Sequence, residues 1–319
     1  MAVRFLNEEV SELCLGKPEL TCVSATATIN DALTALKKSG DTHVSVWVCG
    51  GESGNGSCVC VGKLCMADVI LFLCREENLV DPFRAFEAPV SDILPKGSPI
   101  LAGCNRLYTR RHPKPSDPNT KPPHHKFKEQ VPKQATSFVL RRHNGHKYCW
   151  LTQEDILRFL LNSIGAFSPL PTFTIDSLNV IDHDIMTVTY NEPASSALAH
   201  FYRSLTEQTS VAVVDEENRL IGEISPFALA YCNETAAGAI MALSAMDLIT
   251  FIECARPPED LVNLSGSSLV AVMIQALAHR VSCVWVEDED HTVVGTVTFA
   301  GILKVFGSVA GGRPLSRDG

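Results

Sequence analysis

Val59-Cys60-Val61-Gly62-Lys63-Leu64-Cys65-Met66-Ala67-Asp68, running on into Val69-Ile70-Leu71-Phe72-Leu73, is the stretch on which the fold turns. Its first half reads as an apolar strand, and after Asp68 it becomes a continuous apolar run of helical character. The pattern returns three times. Lys147-Tyr148-Cys149-Trp150-Leu151-Thr152-Gln153-Glu154-Asp155 leads into Ile156-Leu157-Arg158-Phe159-Leu160. Leu220-Ile221-Gly222-Glu223-Ile224-Ser225-Pro226-Phe227-Ala228 and Val294-Gly295-Thr296-Val297-Thr298-Phe299-Ala300-Gly301 are the third and fourth copies. Three copies share a glycine, a residue three later and another three beyond; copy two keeps the frame with Cys149 in place of the glycine.

Working outward, each run is preceded by a second apolar strand: Val44 to Val48, Ser137 to Leu140, Val211 to Val214, and Cys283 to Val286. Asp215-Glu216-Glu217-Asn218 and Asp288-Glu289-Asp290-His291 are short, polar hairpin connections, and Gly50 to Gly56 is a longer, glycine-rich one. Before that strand lies an amphipathic helix. Ile29, Ala32, Leu33 and Leu36 carry its apolar face in copy one, Leu198, Phe201, Tyr202 and Leu205 in copy three, and Leu269, Val272, Met273 and Ala276 in copy four. The unit is therefore βαββα, and the fold class is α/β (α+β). About 60 residues cannot cover both faces of such a sheet, so each unit needs a neighbour.

The totals are those of an ordinary globular protein. The 319 residues are 45% hydrophobic and 20% charged, and the formal charge of −9 argues against bulk nucleic-acid binding. No apolar run has membrane-spanning length, and the early acids Glu8 and Glu9 fit neither a signal nor a transit peptide, so a cytoplasmic protein is expected, with the nucleus as the alternative. Twelve cysteines lack paired C-x-x-C spacing. Buried core positions account for them best, with a redox role for Cys58 or Cys60, beside the glycine-rich turn, as the alternative to that reading. No P-loop, G-x-S-x-G, H-E-x-x-H or dinucleotide glycine fingerprint is present, which speaks against an enzyme.

With the strand-Gly-x-x-Ser/Thr-x-x-Asp-helix run in view, the sequence resembles the CBS-motif family, over nearly the whole chain outside residues 105–135 and the C-terminal tail. The four-copy arrangement looks like the plant two-module CBS proteins, relatives of the gamma subunit of AMP-activated and SNF1-type kinases. The resemblance implies four motifs paired into two pseudo-twofold modules that stack into a disc. It places the first module at 1–165, with copies at 10–75 and 90–161, and the second at 176–307, with copies at 181–232 and 245–306. Ser168-Pro169-Leu170-Pro171 is the natural linker, Ala239 to Cys254 reads as one helix ending before Pro257-Pro258, and 308–319 reads as a disordered tail. No cofactor is required. The clefts imply AMP, ADP, ATP or S-adenosylmethionine as a regulatory ligand, and the partners implied are a protein such as an SNF1-related kinase subunit, or a second copy of the chain.

The site implied is copy-specific. An Asp at the strand-to-helix turn can accept from both ribose hydroxyls, and the helix N-terminus favours phosphate. The same residues can instead be simple helix caps. Copy two keeps both groups, Thr152 and Asp155; copy one has Asp68 with Cys65 in the hydroxyl position. Ser225 and Thr298 remain in copies three and four, but Ala228 and Gly301 replace the carboxylate. Copy two departs in another way: after Pro89-Val90-Ser91-Asp92-Ile93-Leu94-Pro95 no amphipathic helix follows, and Asn105 to Lys147 holds eleven Lys or Arg against Asp117 and Glu129. That proline-rich stretch reads as a solvated loop, a nuclear-import or docking patch around Arg110-Arg111 and Arg141-Arg142, or a nucleic-acid contact. His124-His125 and His143/His146 read as loop histidines rather than a metal site. Two functions stay open: an adenosyl-ligand sensor that modulates a partner, and a ligand-free scaffold acting as a gamma-like kinase subunit.

Overall fold

The structure is a computed structural model that describes residues 13, 16–49, 58–94, 137–141, 148–253, 262–264, 266–279 and 281–310. Residues 105–136 and 142–147 of the basic stretch, where copy two's missing helix was expected, the Gly50–Gly56 connection, the loop histidines, Pro257-Pro258 and the tail past Ala310 lie outside those residues.

Copy one runs β1 (Cys22–Ser24), α1 (Ile29–Ser39), β2 (His43–Cys49), β3 (Cys58–Cys65) and α2 (Met66–Leu73). Two short helices that the sequence pattern does not announce follow, α3 (Glu76–Val80) and α4 (Pro82–Glu87). Copy two contributes β4 (Ser137–Arg141), β5 (Tyr148–Thr152) and α5 (Gln153–Asn162). Copy three is β6 (Thr187–Thr189), α6 (Leu198–Glu207), β7 (Val211–Val214), β8 (Leu220–Ile224) and α7 (Pro226–Leu229). After α8 (Ala236–Ala242) and α9 (Ala245–Glu253), copy four supplies β9 (Val262–Leu264), α10 (Leu269–His279), β10 (Cys283–Glu287), β11 (Val293–Thr298) and α11 (Phe299–Ala310).

Local chemistry sets the boundaries. Thr28 opens α1 with a capping box, its Oγ1 accepting from the Asp31 N–H at 3.1 Å while Asp31 Oδ2 accepts from the Thr28 N–H at 3.1 Å. Gly40 closes it at φ +68°. The four apolar positions read for this helix are all buried, as are the four read for α10. Both short hairpins form around an aspartate: Asp215 Oδ1 accepts from the Glu217 and Arg219 amides, and Asp288 Oδ1 from those of Asp290 and Thr292. Ala239 to Cys254 is not one helix. Leu243 turns extended and Ser244 starts α9 afresh, accepting from the Asp247 N–H at 3.1 Å, so the segment bends where a single helix was expected.

In copies one, three and four the first strand pairs parallel with the second and the second antiparallel with the third. The shared glycines hold one register: Val46 faces Gly62, Val213 faces Gly222, and Val286 faces Gly295. At that rung each ladder shifts by one residue, a bulge that skips Val61, Ile221 or Val294. The β4–β5 pair, with Cys149 in the glycine's place, runs without a shift.

The glycines also admit a neighbour. A β-carbon on Gly62 would stand 2.8 Å from Leu94, one on Gly222 2.8 Å from Ile249, and one on Gly295 2.4 Å from Ile181. Each of these apolar residues belongs to the segment leading into the next or preceding copy. Copies one and two are thereby clasped, as are copies three and four.

Four clusters join the copies into a ring. The helices of copies one and three share one core, from Ile29 and Phe72 to Phe201 and Ile240. Those of copies two and four share another, around Leu157, Met273 and Ile302. Trp47 and Cys60 of copy one meet Tyr148 and Trp150 of copy two, and Ala212 and Val214 of copy three meet Trp285 of copy four. Ser168-Pro169-Leu170-Pro171 is no loose linker: Leu170 and neighbouring Phe167 are buried in the second core, and Phe167 packs edge-on against Phe306.

The cysteine reading is corrected at two places: Cys22 is exposed on β1, and two further cysteines are paired. Cys49 and Cys58 face each other on the last rung of β2–β3 and form a disulfide. Their partnership comes from strand register and has no sequence spacing to announce it. Cys60, Cys65, Cys74, Cys149, Cys232 and Cys283 are buried thiols, as a core role requires, which removes Cys60 as an exposed redox group.

Candidate functional site

Alternation along β5 buries Cys149 and Leu151 among the helices and turns Tyr148, Trp150 and Thr152 towards copy one. On β3 the same alternation buries Gly62 and Leu64 and leaves Lys63 half-buried on the opposite face. The strand-to-helix turns of copies one and two therefore sit beside the surface where the two copies meet. Trp47 and Tyr148 are in ring contact there, with centroids 5.4 Å apart, and the Trp150 indole Nε1 is buried with no hydrogen-bond partner.

All four motif positions act as helix starts. Thr152 Oγ1 accepts from the Asp155 N–H at 3.3 Å, Ser225 Oγ from the Ala228 N–H at 3.0 Å, and Thr298 Oγ1 from the Gly301 N–H at 3.0 Å. In copy one the Cys65 N–H donates to Asp68 Oδ2 at 2.7 Å. Capping is thus common to every copy, and what separates the copies is the space around the third motif position.

Asp68 lines a cavity of about 940 Å³ together with Phe72, Arg75, Arg84, Leu94 and Tyr202. Arg75 lies over the Phe72 ring at 4.8 Å, and the Tyr202 hydroxyl donates to the Leu71 carbonyl at 2.5 Å, so helix α6 of copy three forms one wall. Asp155 is engaged: its Oδ2 accepts from the Thr152 N–H and hydroxyl, each at 2.7 Å, and from the Lys17 ammonium. Ala228 is buried in the first core. Gly301 faces Val180, whose Cγ2 would stand 3.3 Å from an added β-carbon.

The copy-one turn is electrostatically tense. Burial pushes the Asp68 carboxyl above its ordinary range, against the hydrogen bonds from Cys65 and the charge of Lys63. Burial pushes the Lys63 ammonium down and the Cys65 thiol well up. His43, opposite Cys65 on the ladder, is lowered to about 3, by burial first and then by the Lys63 charge. Burial is the largest cause of each shift.

The motif reading singled out Asp68, Cys65, Thr152 and Asp155, with Ser225 and Thr298 as weaker candidates; Lys17, Tyr202 and the α3–α4 wall, which surround the first four, it did not name. Lys17 lies outside every repeat run, and Tyr202 was read only as part of an apolar helix face. Among the described residues no cluster of three or more His, Cys, Asp or Glu is placed to hold a metal, and no helix is long and apolar enough to cross a membrane.

Residues 177–230 match the sequence profile of the CBS domain. The chain is 37% identical to CBS domain-containing protein CBSX5 of Arabidopsis thaliana, over 96% of this chain and 98% of that protein. The chain belongs to the CBS-domain family. It is also 21% identical to the Arabidopsis SNF1-related protein kinase regulatory subunit gamma-like PV42b, over 95% of each. A crystal structure from Methanocaldococcus jannaschii, described as an archaeal homologue of γ-AMPK, shares the fold at a TM-score of 0.63 and 18% identity, covering 94% of this chain and all of that one. The chain is accordingly a CBS-domain protein that is similar to a gamma-like kinase subunit, with the expected mixed α/β architecture.

Proposed function

We propose that this CBS protein is a non-catalytic cytoplasmic regulator that binds an adenosyl ligand (AMP, ATP or S-adenosylmethionine) in the copy-one cavity and passes occupancy to a partner protein. The observation that carries the reading is the contrast at the third motif position. Asp68 combines a carboxylate with an adjoining cavity; Asp155 is engaged by Lys17, and copies three and four have no carboxylate at this position. A volume of about 940 Å³ falls within the range for small-molecule sites. Arg75 and Arg84 in its lining offer partners to phosphate oxygens, and Asp68 offers the ribose acceptor.

The test is a melting series. AMP, ATP or S-adenosylmethionine at a hundredfold excess over Kd should stabilise the protein by about 2.7 kcal/mol. Asp68→Ala should abolish the shift. No shift at millimolar ligand would sink the reading, because bound ligand must stabilise the folded state.

A specific observation favours a second reading, a scaffold acting through contact alone. Val80 and Phe83, on the short helices beside the cavity, are 87% and 85% exposed, an apolar pair of the kind a partner covers. On that reading an SNF1-related kinase subunit co-purifies with the chain irrespective of nucleotide, and Phe83→Asp disrupts the complex. A pull-down in which Phe83→Asp behaves as wild type removes this surface from consideration.

A further inference from the structure

Strand register makes the segments leading into copies one and three equivalent, residue for residue. Cys22 pairs with Ser45 and Thr187 with Ala212, and Ser45 and Ala212 each stand one residue before the valine opposite the motif glycine. Five residues back from Cys22 and Thr187 are Lys17 and Asp182. Both segments cross to the neighbouring copy at matching places. Asp182 and Thr296 of copy four exchange two backbone hydrogen bonds of 2.8 Å, and Lys17 Nζ donates to the carbonyl of Trp150 at 2.9 Å. Trp150 is the copy-two counterpart of Thr296, each standing one residue past the motif glycine or its replacement.

The two segments end on the same motif position. In copy four, Val180 lies against Gly301, its Cγ2 3.3 Å from where a β-carbon would stand, so the segment crowds the position of the missing carboxylate. In copy two the carboxylate is present, and Lys17 meets it. Three donors converge on Asp155 Oδ2: the Thr152 amide, the Thr152 hydroxyl and the Lys17 ammonium. The Lys17 and Asp155 side chains are 23% and 24% exposed, so the pair is sheltered from solvent screening. The segment is held at both ends, by the Leu20 N–H donating to the Tyr148 carbonyl at 3.1 Å and by Leu13 packing on the core of copies two and four.

We propose that the segment leading into copy one is a tethered occupant of the copy-two cleft, with Lys17 seated where ribose hydroxyls would meet Asp155. The inference rests on the reading of the motif carboxylates as ribose acceptors. Its consequence is that the most complete motif in the sequence is closed, and that Lys17 decides how many clefts are open. A free ligand has to displace a cation that is already at high effective concentration.

Calorimetric titration of the full chain with AMP tests the proposal. Wild type takes one equivalent, lost in Asp68→Ala; Lys17→Met takes two, the second lost when Asp155→Ala is added. Lys17→Arg, which keeps the cation, stays at one. Lys17→Met with no more sites than wild type overturns the proposal. Wild type with none and Lys17→Met with one, lost on Asp155→Ala, removes the copy-one reading while upholding the tether. Hydrogen exchange supplies a readout free of nucleotide: the Leu20 amide should exchange at least tenfold faster in Lys17→Met and in Asp155→Asn. Unchanged exchange in both overturns the tether.

Discussion

His43 and Asp68 bias the protein in opposite directions as pH changes. His43 falls from its ordinary value of 6.5 to about 3 in the folded state, so it stays neutral where the unfolded chain would already be protonated. Its contribution is complete above about pH 6.5 and lost as pH falls towards 3. His43→Asn should flatten the fall in urea midpoint between pH 6.5 and pH 4. Asp68 is raised instead, so the folded state holds that proton more tightly than the unfolded chain does, and stability declines as rising pH ionises it. Asp68→Asn keeps an acceptor for the Cys65 N–H and removes the buried charge. It should raise the melting temperature of the ligand-free protein at neutral pH while abolishing its response to AMP, the trade expected where a functional group is held against its own stability. A variant no more stable than wild type would show that the buried carboxylate carries no such cost. Asp68 and Asp155 were both legible from the repeat frame. Which of them lies open was not, because that depends on residues far away in sequence, Leu94 and Tyr202 for one and Lys17 for the other.

Among the elements, the glycine rung is where sequence and structure agree most closely. The spacing pointed to Gly62, Gly222 and Gly295, and the structure supplies two reasons: each stands at a bulge, and each admits an apolar side chain from another copy. The consequences of filling them differ. At Gly295 an added β-carbon meets the Asp182 backbone oxygen at 2.8 Å as well as Ile181, whereas at Gly62 it meets only the end of Leu94. Gly295→Ala should therefore cost about 1–3 kcal/mol in urea denaturation and Gly62→Ala distinctly less. Equal costs would mean that the clasp is as pliant in copies three and four as in copies one and two. The Cys49–Cys58 bridge closes a span of nine residues, so Cys49→Ser should lower stability by about 2 kcal/mol under non-reducing conditions. A variant as stable as wild type there would mean that the bridge contributes nothing. Helices α8 and α9 were unreadable as two because an Ala-rich run passes straight into another apolar one; the extended Leu243 and the Ser244 cap divide them.

At the level of the whole molecule, four related units and, through the resemblance, their pairing into two stacked modules were legible; the side chains that join one module to the other were not. Sequence neighbours meet through small clusters around Trp47 and Trp285, while the two large cores join copy one to copy three and copy two to copy four. Those contacts span well over a hundred residues and have no local signature. Each half consequently carries two apolar helix faces shaped for the other half. Residues 1–165 produced alone should self-associate or fail to fold, and mixing the halves should restore a 1:1 complex by analytical ultracentrifugation. A stable monomeric half would mean that the cores between halves add little.

The clasping of leading segments across copies has an evolutionary corollary. Every copy lends its opening residues to a partner and receives a partner's in return, as Leu94 lies on Gly62 and Ile181 on Gly295. Duplication or loss of a single copy would leave one glycine rung uncovered and one leading segment with nothing to lie against. Parity is therefore built into this architecture: units can be added or removed without uncovering a rung only two at a time.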